Sequence, residues 1–150
     1  MTARIVINDF LTHDVFAVVG VSRSEKKFGN IAYRELRNKG YRVYTINPKA
    51  DVVEGDHCYH SFKELPEKVD GAVIIVPPHQ ALRMVREAYE AGIVRVWLQQ
   101  GAESDEAIRF CEEKGIELIY GECILMFAEP AGFVHRAHRW VWGLAGKLPA

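Results

Sequence analysis

The sequence predicts an α/β fold of the doubly wound type, in which helices cover both faces of a parallel sheet of about five strands. Short apolar, β-branched runs alternate with segments of helical spacing, which is typical of this class. The first run, residues 15–19, breaks at Gly20 and passes through a polar, basic loop into a helical pattern. A buried parallel strand that feeds a helix has this pattern. With 150 residues, 49% of them hydrophobic, the chain has the length of one domain and can bury a full core.

The predicted elements follow from these alternating patterns and from stop signals at glycine and proline. Strands are predicted over residues 15–19, 41–46, 71–76, 95–98 and 116–120. Helices are predicted over 30–39, over 79–91, after the N-cap Ser104 and over 133–147. The segment up to residue 13 predicts a short helix or turn, and the polar segment 50–68 has room for a short strand near 57–59 and a helical turn near 62–65. This gives a Rossmann-like core over residues 14–123 and a helical C-terminal tail over 124–150.

Sheets of this kind bind ligands beyond the carboxyl ends of the strands, at the point where the strand order reverses. The segments that follow the strands, including the region near Cys123, are therefore expected to line one site. The first amides of the helix after Gly20 point at this edge with the positive end of the helix dipole behind them, so an anion is expected there. The candidate site residues are Gly20, Val21, Ser22, Arg23, Lys26, Phe28, Gly29, Asn30, Asn47, Pro48, Lys49, Val76, Pro77, Pro78, Leu98, Gln99 and Gln100.

The end of the second strand indicates which nucleotide fits. A fingerprint for NAD needs clustered glycines and an Asp or Glu at this position to hold the ribose hydroxyls. Here the next glycine after Gly20 is Gly29, and the strand ends in Asn47-Pro48-Lys49 without a carboxylate. A lysine there favours a ligand with an extra phosphate, either the 3′-phospho-ADP of coenzyme A or NADP. Charge-assisted hydrogen bonds from Arg23, from Lys26 or Lys27, and from Lys49 would hold the phosphates.

At these positions the sequence resembles the stand-alone CoA-binding domain proteins, which are relatives of the N-terminal domain of the succinyl-CoA synthetase alpha subunit. The matching stretches are residues 18–23, 40–49, 64–66 ahead of 69–70, and 96–101. The resemblance implies that the turn from Gly20 to Arg23 and Lys49 hold CoA phosphates. It also implies that residues 76–78 and 98–100 line the path of the pantetheine. The phosphorylated histidine of the synthetase lies in a second domain that this sequence does not match, so the resemblance implies no ligase chemistry.

Composition and charge restrict the range of possible functions. Nineteen basic against 20 acidic residues exclude a broad nucleic-acid or anionic-membrane surface. The apolar runs are strand-sized, the N-terminus lacks the hydrophobic region of a signal peptide, and three scattered cysteines do not form a disulfide framework. We therefore expect a soluble, cytoplasmic protein with a small-molecule ligand. Among possible metal ligands, His57, Cys58 and His60 could bind zinc, but a polar loop is the default interpretation because no second ligand pair follows at zinc spacing.

The leading hypothesis from the sequence is a protein that binds coenzyme A or an acyl-CoA without catalytic apparatus. It would act as a carrier, a sensor or a partner of a ligase-type enzyme, and it could form a homo-oligomer through the C-terminal helix. An NADP-dependent oxidoreductase or nicotinamide-sensing domain is the alternative from another class, and an interaction module with a vestigial pocket is the third. A mixed disulfide between Cys123 and the CoA thiol is a further hypothesis beside the default of an inert cysteine.

Overall fold

A computed structural model describes residues 4–128 of the chain. The helices are α1 (Arg4–Thr12), α2 (Phe28–Asn38), α3 (Pro78–Glu90) and α4 (Asp105–Lys114). The strands are β1 (Val15–Val19), β2 (Arg42–Ile46), β3 (Val52–Val53), β4 (Asp56–Tyr59), β5 (Gly71–Ile74), β6 (Arg95–Gln99) and β7 (Glu117–Glu122). Short 3₁₀ turns span Phe62–Glu64 and Ile124–Met126. The C-terminal helix predicted over 133–147 lies outside the described residues, and so does any oligomer contact through it.

The described strands form one seven-stranded sheet in the order β3-β4-β2-β1-β5-β6-β7. Every pairing is parallel except that of β3 with β4. This confirms the doubly wound α/β class but corrects the expected strand count of about five. The additional strands are β4, for which the sequence left room, and β3, which it did not predict. The hairpin turn between them is Glu54-Gly55, both with positive φ, and two residues of β3 are too few to show a strand period.

Alternating residues of the strands divide the core into two layers, one on each face of the sheet. In β1, Phe16 and Val18 face the layer that contains α1 and α2, whereas Ala17 and Val19 face the layer that contains α3 and α4. All four side chains are at most 5% exposed. In the first layer the Phe10 ring of α1 stacks on Phe16 with a centroid distance of 4.9 Å. Helices thus cover both faces, which explains why the central strands are apolar throughout.

The central strands end level with one another, and this produces a crevice at the carboxyl edge of the sheet. The last residue of β1, Val19, is paired with Ile46 on one side and with Ile74 on the other. From β1 the chain continues to β2 on one side, and β5 lies on the other side, so the order reverses between β1 and β5. This is the switch point at which ligands of such sheets bind.

Two glycines allow the backbone segments at this edge to touch. A Cβ on Gly20, whose φ is +115°, would lie 2.1 Å from the carbonyl oxygen of Ile75. A Cβ on Gly29, in the first turn of α2, would lie 2.1 Å from the carbonyl oxygen of Gly20. The start of α2 can therefore pack directly on the loop after β1, and that loop packs on the end of β5.

No helix within residues 4–128 combines the length and the apolar character needed to cross a bilayer.

We predict that Gly29→Ala destabilises the fold, although alanine is normally the better helix residue by about 0.5–1 kcal/mol. The added methyl group must displace the Gly20 carbonyl, and overpacking of this kind costs about 1–3 kcal/mol. Urea unfolding measures the loss. Glu35→Ala, at an exposed position of the same helix, is the control and should change stability by less than about 0.5 kcal/mol. A Gly29→Ala protein as stable as the parent would show that the close approach does not exist.

Candidate functional site

An open cleft of about 850 Å³ lies above the crevice, near the upper end of the range of about 300–1,000 Å³ for ligand pockets. The loops after β1, β2, β5 and β6 contribute to its lining, together with the first turn of α2 and one face of α3. Four consecutive positions of the sheet edge therefore open into a single cavity. Its shape suits an elongated ligand that lies across the strand ends.

The charged residues that line the cleft are all cationic. They are Lys27 before α2, Lys49 after β2 and Arg83 on α3, and no Asp or Glu is among the described lining residues. The chain as a whole carries a net charge of −1, so this positive potential is local. Phe28 and Gly29 also line the cleft, and the amides of a first helical turn have no helical acceptor. The arrangement favours an anionic ligand.

Two asparagine side chains fix the loop after β1. Asn47 Nδ2 donates to the carbonyl oxygen of Val21 at 3.0 Å. Asn30 makes a pair of bonds with Ser22, because its Oδ1 accepts from the Ser22 amide at 3.0 Å and its Nδ2 donates to the Ser22 carbonyl at 2.7 Å. The Ser22 hydroxyl in turn accepts from the amide of Ser24 at 3.1 Å. The loop thus keeps one conformation beside the start of α2.

The buried carboxylate of Glu54 holds the Asn30 side chain in place. Glu54 lies in the β3–β4 turn with its side chain only 7% exposed, and its Oε2 accepts from Asn30 Nδ2 at 2.8 Å. Arg34 Nη1 donates to both oxygens of the same carboxylate at 3.1 Å. Arg34 therefore compensates the negative charge of Glu54, which would otherwise oppose the positive potential of the cleft.

The same hairpin contacts α2 a second time through Asp56. The Tyr33 hydroxyl donates to Asp56 Oδ2 at 2.6 Å, and Arg37 forms an ion pair with that oxygen. Burial, followed by the hydrogen bond to Asp56, raises the pKa of Tyr33 to about 12. The phenol consequently stays a donor at physiological pH, and the hairpin is fixed to α2 over more than one turn.

At the other end of the cleft, backbone and side-chain bonds hold the segment after β6. Gln99 is 5% exposed, and its Oε1 accepts from the amide of Ile124 at 3.0 Å. The Gln100 amide donates to the carbonyl of Glu122 at 3.1 Å, and the Ala102 amide donates to the carbonyl of Gln99 at 2.8 Å. The turn after β6 is therefore anchored to the end of β7.

The structure brings most of the residues predicted from the sequence to the cleft. Those that line it are Gly20, Val21, Ser22, Phe28, Gly29, Asn47, Pro48, Lys49, Val76, Pro77, Gln99 and Gln100. The others are Arg23, Lys26, Asn30, Pro78 and Leu98, which are not among the lining residues. Leu98 is completely buried among the apolar residues on the α3 and α4 face, and Asn30, also completely buried, is bonded to Ser22 and Glu54. Arg23, Lys26 and Pro78 are exposed.

Several lining residues were not predicted from the sequence, chiefly Gln80, Arg83 and Met84 of α3 and Gly101 and Ala102 after β6. The α3 residues have spacings of three and four positions, which place them on one helix face. Their periodicity was visible in the sequence. The direction of that face depends on how α3 packs against β5 and α4.

The cysteines and histidines singled out in the sequence lie away from the cleft lining. Cys123 is partly exposed after β7, whereas Cys58 and Cys111 are buried, and burial raises the pKa of the Cys111 thiol to about 12. His60 Nε2 lies 2.7 Å from Asp51 Oδ1, and the His57 ring packs edge-on against Tyr59. No cluster of three or more His, Cys, Asp or Glu side chains within residues 4–128 is placed to hold a metal ion.

Comparison with known proteins gives matches to parts of long ligases and to a small protein that this chain covers almost completely. The chain is 32% identical over 122 residues to acetate–CoA ligase (ADP-forming) I of Archaeoglobus fulgidus, covering 75% of this chain but only 18% of the ligase. A conserved hypothetical protein of Pyrococcus furiosus has 44% identity and a TM-score of 0.72, with 75% of this chain and 97% of that chain covered. The dinucleotide-forming acetyl-coenzyme A synthetase 1 of Ca. Korarchaeum cryptofilum has 30% identity and a TM-score of 0.65, with 75% of this chain and 27% of the synthetase covered.

A family model described as the CoA binding domain matches residues 14–129, which is most of the chain. Those residues contain all seven described strands, helices α2 to α4 and all described residues that line the cleft. The family expected from the sequence is thereby confirmed. This chain belongs to the CoA-binding domain family.

Proposed function

We propose that the cleft binds coenzyme A, either free or acylated, and that the chain itself carries out no chemistry on it. The observation that carries this proposal is the cleft at the β1/β5 switch point. Among the described residues, its lining has cations on three separate segments and no carboxylate. Coenzyme A carries a diphosphate and a 3′-phosphate, so it matches a dispersed set of cations better than a ligand with a single charge does.

The positions of Lys27 and Lys49 support a particular placement of the ligand. The diphosphate would lie at the start of α2, against the Gly20–Ser22 turn, with Lys27 beside it and Arg23 and Lys26 adding positive potential from the exposed part of the loop. Lys49, after β2, would bind the 3′-phosphate. Pantetheine would then extend over β5 and β6, along the path lined by Val76, Pro77, Gln99 and Gln100.

Magnitudes show that several contacts are needed together. Micromolar binding requires about 8 kcal/mol, whereas a helix terminus contributes roughly 0.3–1 kcal/mol to an exposed anion. Charge-assisted hydrogen bonds contribute about 1.5–3 kcal/mol each. Two or three such bonds and apolar contact with Phe28 and Pro77 therefore supply what the helix terminus lacks.

The comparisons suggest the role of such binding. The chain spans 18% and 27% of the two CoA ligases described above, yet it covers 97% of a small protein of Pyrococcus furiosus. We therefore infer a carrier, a sensor or a partner of a ligase-type enzyme. An NADP-binding oxidoreductase or nicotinamide-sensing domain ranks second, because a lysine after β2 would also suit the 2′-phosphate of NADP.

Calorimetric titration with CoA, dephospho-CoA, NAD and NADP tests the proposal, and thermal unfolding provides a second readout. CoA is expected to bind best and to raise the melting temperature, since a ligand at 100 times its Kd adds about 2.7 kcal/mol of stability. Stronger binding of NADP than of CoA would support the second function. If none of the four compounds bound, the pocket would be vestigial and the proposal would be wrong.

We predict that Lys49→Ala weakens CoA binding about tenfold, equivalent to about 1.4 kcal/mol, and dephospho-CoA binding much less. The reason is that only CoA presents a 3′-phosphate to the lysine. Lys63→Ala, at an exposed position outside the cleft, is the matched control for charge and should leave both affinities unchanged. Equal losses for the two ligands would remove Lys49 from the 3′-phosphate role.

A further prediction concerns the hydrogen bonds between Asn30 and the loop after β1. Asn30→Ala should lower the free energy of unfolding by about 1–3 kcal/mol, because the partly buried amide and carbonyl of Ser22 lose their partner. CoA affinity should fall several-fold because the loop is no longer fixed. The double variant Asn30→Ala/Glu54→Gln should lose less stability than the sum of the losses in the two single variants, because both side chains belong to one hydrogen-bond network.

Arg34→Met is the control for this network. It removes the partly exposed ion pair with Glu54 but leaves the Asn30–Glu54 and Asn30–Ser22 bonds in place. Because Glu54 is only 7% exposed, this change leaves a buried carboxylate without its cation, and a stability loss of about 1.5–3 kcal/mol is expected. CoA affinity should change less than in Asn30→Ala, because the loop keeps its bonds to Asn30. Strictly additive losses for Asn30→Ala and Glu54→Gln would contradict the coupling.

A further inference from the structure

Arg83 lines the cleft, but the proposed placement of CoA puts no phosphate beside it. It is exposed on the same face of α3 as Gln80 and Met84, and all three line the cleft. Within residues 4–128, no carboxylate lies within ion-pair distance of its guanidinium. Its neighbour Arg86, one turn along, instead packs over the Phe110 ring at 5.5 Å and is not among the lining residues.

The topology places Arg83 and Lys49 on opposite sides of β1. Helix α3 connects β5 to β6 and packs against β5 and α4, so it lies on the β6 side of the switch point. Lys49 follows β2, on the opposite side of β1. At about 4.8 Å between neighbouring strands, β2 and β5, on which α3 packs, are roughly 10 Å apart. The two cations therefore face opposite ends of a ligand that lies across the strand ends.

With the 3′-phosphate at Lys49, the end of the ligand near Arg83 is the thiol end. Free CoA and its esters with simple fatty acids have no negative charge there. A guanidinium presents a planar fork of donors that matches a carboxylate in bidentate geometry. Gln80 and Gln100 supply further polar groups at this end, and Met84 and Ala102 supply an apolar wall for methylene groups.

We propose that Arg83 determines acyl-group specificity by binding a carboxylate at the far end of the acyl chain. The preferred ligand is then a dicarboxylic acyl-CoA, meaning a thioester in which one carboxyl group of a diacid is joined to the CoA sulfur and the other is free. This inference rests on the proposed function, because it presupposes CoA in the cleft with the 3′-phosphate at Lys49.

Titration with paired thioesters of equal chain length tests the inference. Glutaryl-CoA is compared with valeryl-CoA, and malonyl-CoA with propionyl-CoA, so each pair differs in one terminal carboxylate. We expect at least one of the two dicarboxylic esters to bind about tenfold tighter than its partner. Arg83→Met should abolish that difference, and Arg83→Lys should retain part of it. Arg86→Met, at the neighbouring position outside the cleft, should retain all of it.

Three results would overturn the inference while leaving CoA binding intact. The first is equal affinity of the wild-type protein for both members of each pair. The second is an equal loss of affinity for CoA and all four esters in Arg83→Met, which would place Arg83 on the body of the cofactor. The third is a loss in Arg83→Met for CoA but not for dephospho-CoA, which would reverse the ligand in the cleft. Failure of the proposed function itself is distinct, since no CoA compound would then bind.

Discussion

At the start of α2 the backbone of Gly29 lies against the carbonyl of Gly20, and Gly20 lies in turn against the carbonyl of Ile75. A methyl group at either glycine would approach a carbonyl oxygen to 2.1 Å, so only glycine permits this contact. The contact brings the loops after β1 and β5 and the first turn of α2 to one point. The cleft exists because these three segments meet there.

The polar residues around this contact form two groups with different tasks. Asn30, Asn47 and Glu54 bond to the loop or to one another and so fix its shape. Lys27, Lys49 and Arg83 line the cleft. A carboxylate next to a cationic cleft would normally weaken the binding of anions there by repulsion. Here Arg34 pairs with Glu54, and Asn30 stands between that carboxylate and the Ser22 backbone.

The sequence predicted the main strands and the helices because each has a local pattern. Alternation of apolar runs with helical spacing and the N-cap at Ser104 are readable over a few residues, and the structure confirms both within residues 4–128. The hairpin of β3 and β4 escaped full prediction because its strands are too short for a period to show. Asn30 illustrates the same limit for the site. Its position in the sequence suggested a ligand contact, whereas its actual partners include Glu54, 24 residues away.

The sequence by itself determined the fold class, the edge of the sheet at which the cleft lies and the family, because these depend on element order and on short motifs. Only the tertiary structure decided which side chains reach the cleft. Leu98 lies within a predicted site segment but points into the core, while Arg83, in a helix without any motif, faces the cleft. The direction of a side chain depends on how its helix or strand packs against elements distant in the chain. No local sequence pattern specifies how a helix or strand is rotated about its own axis.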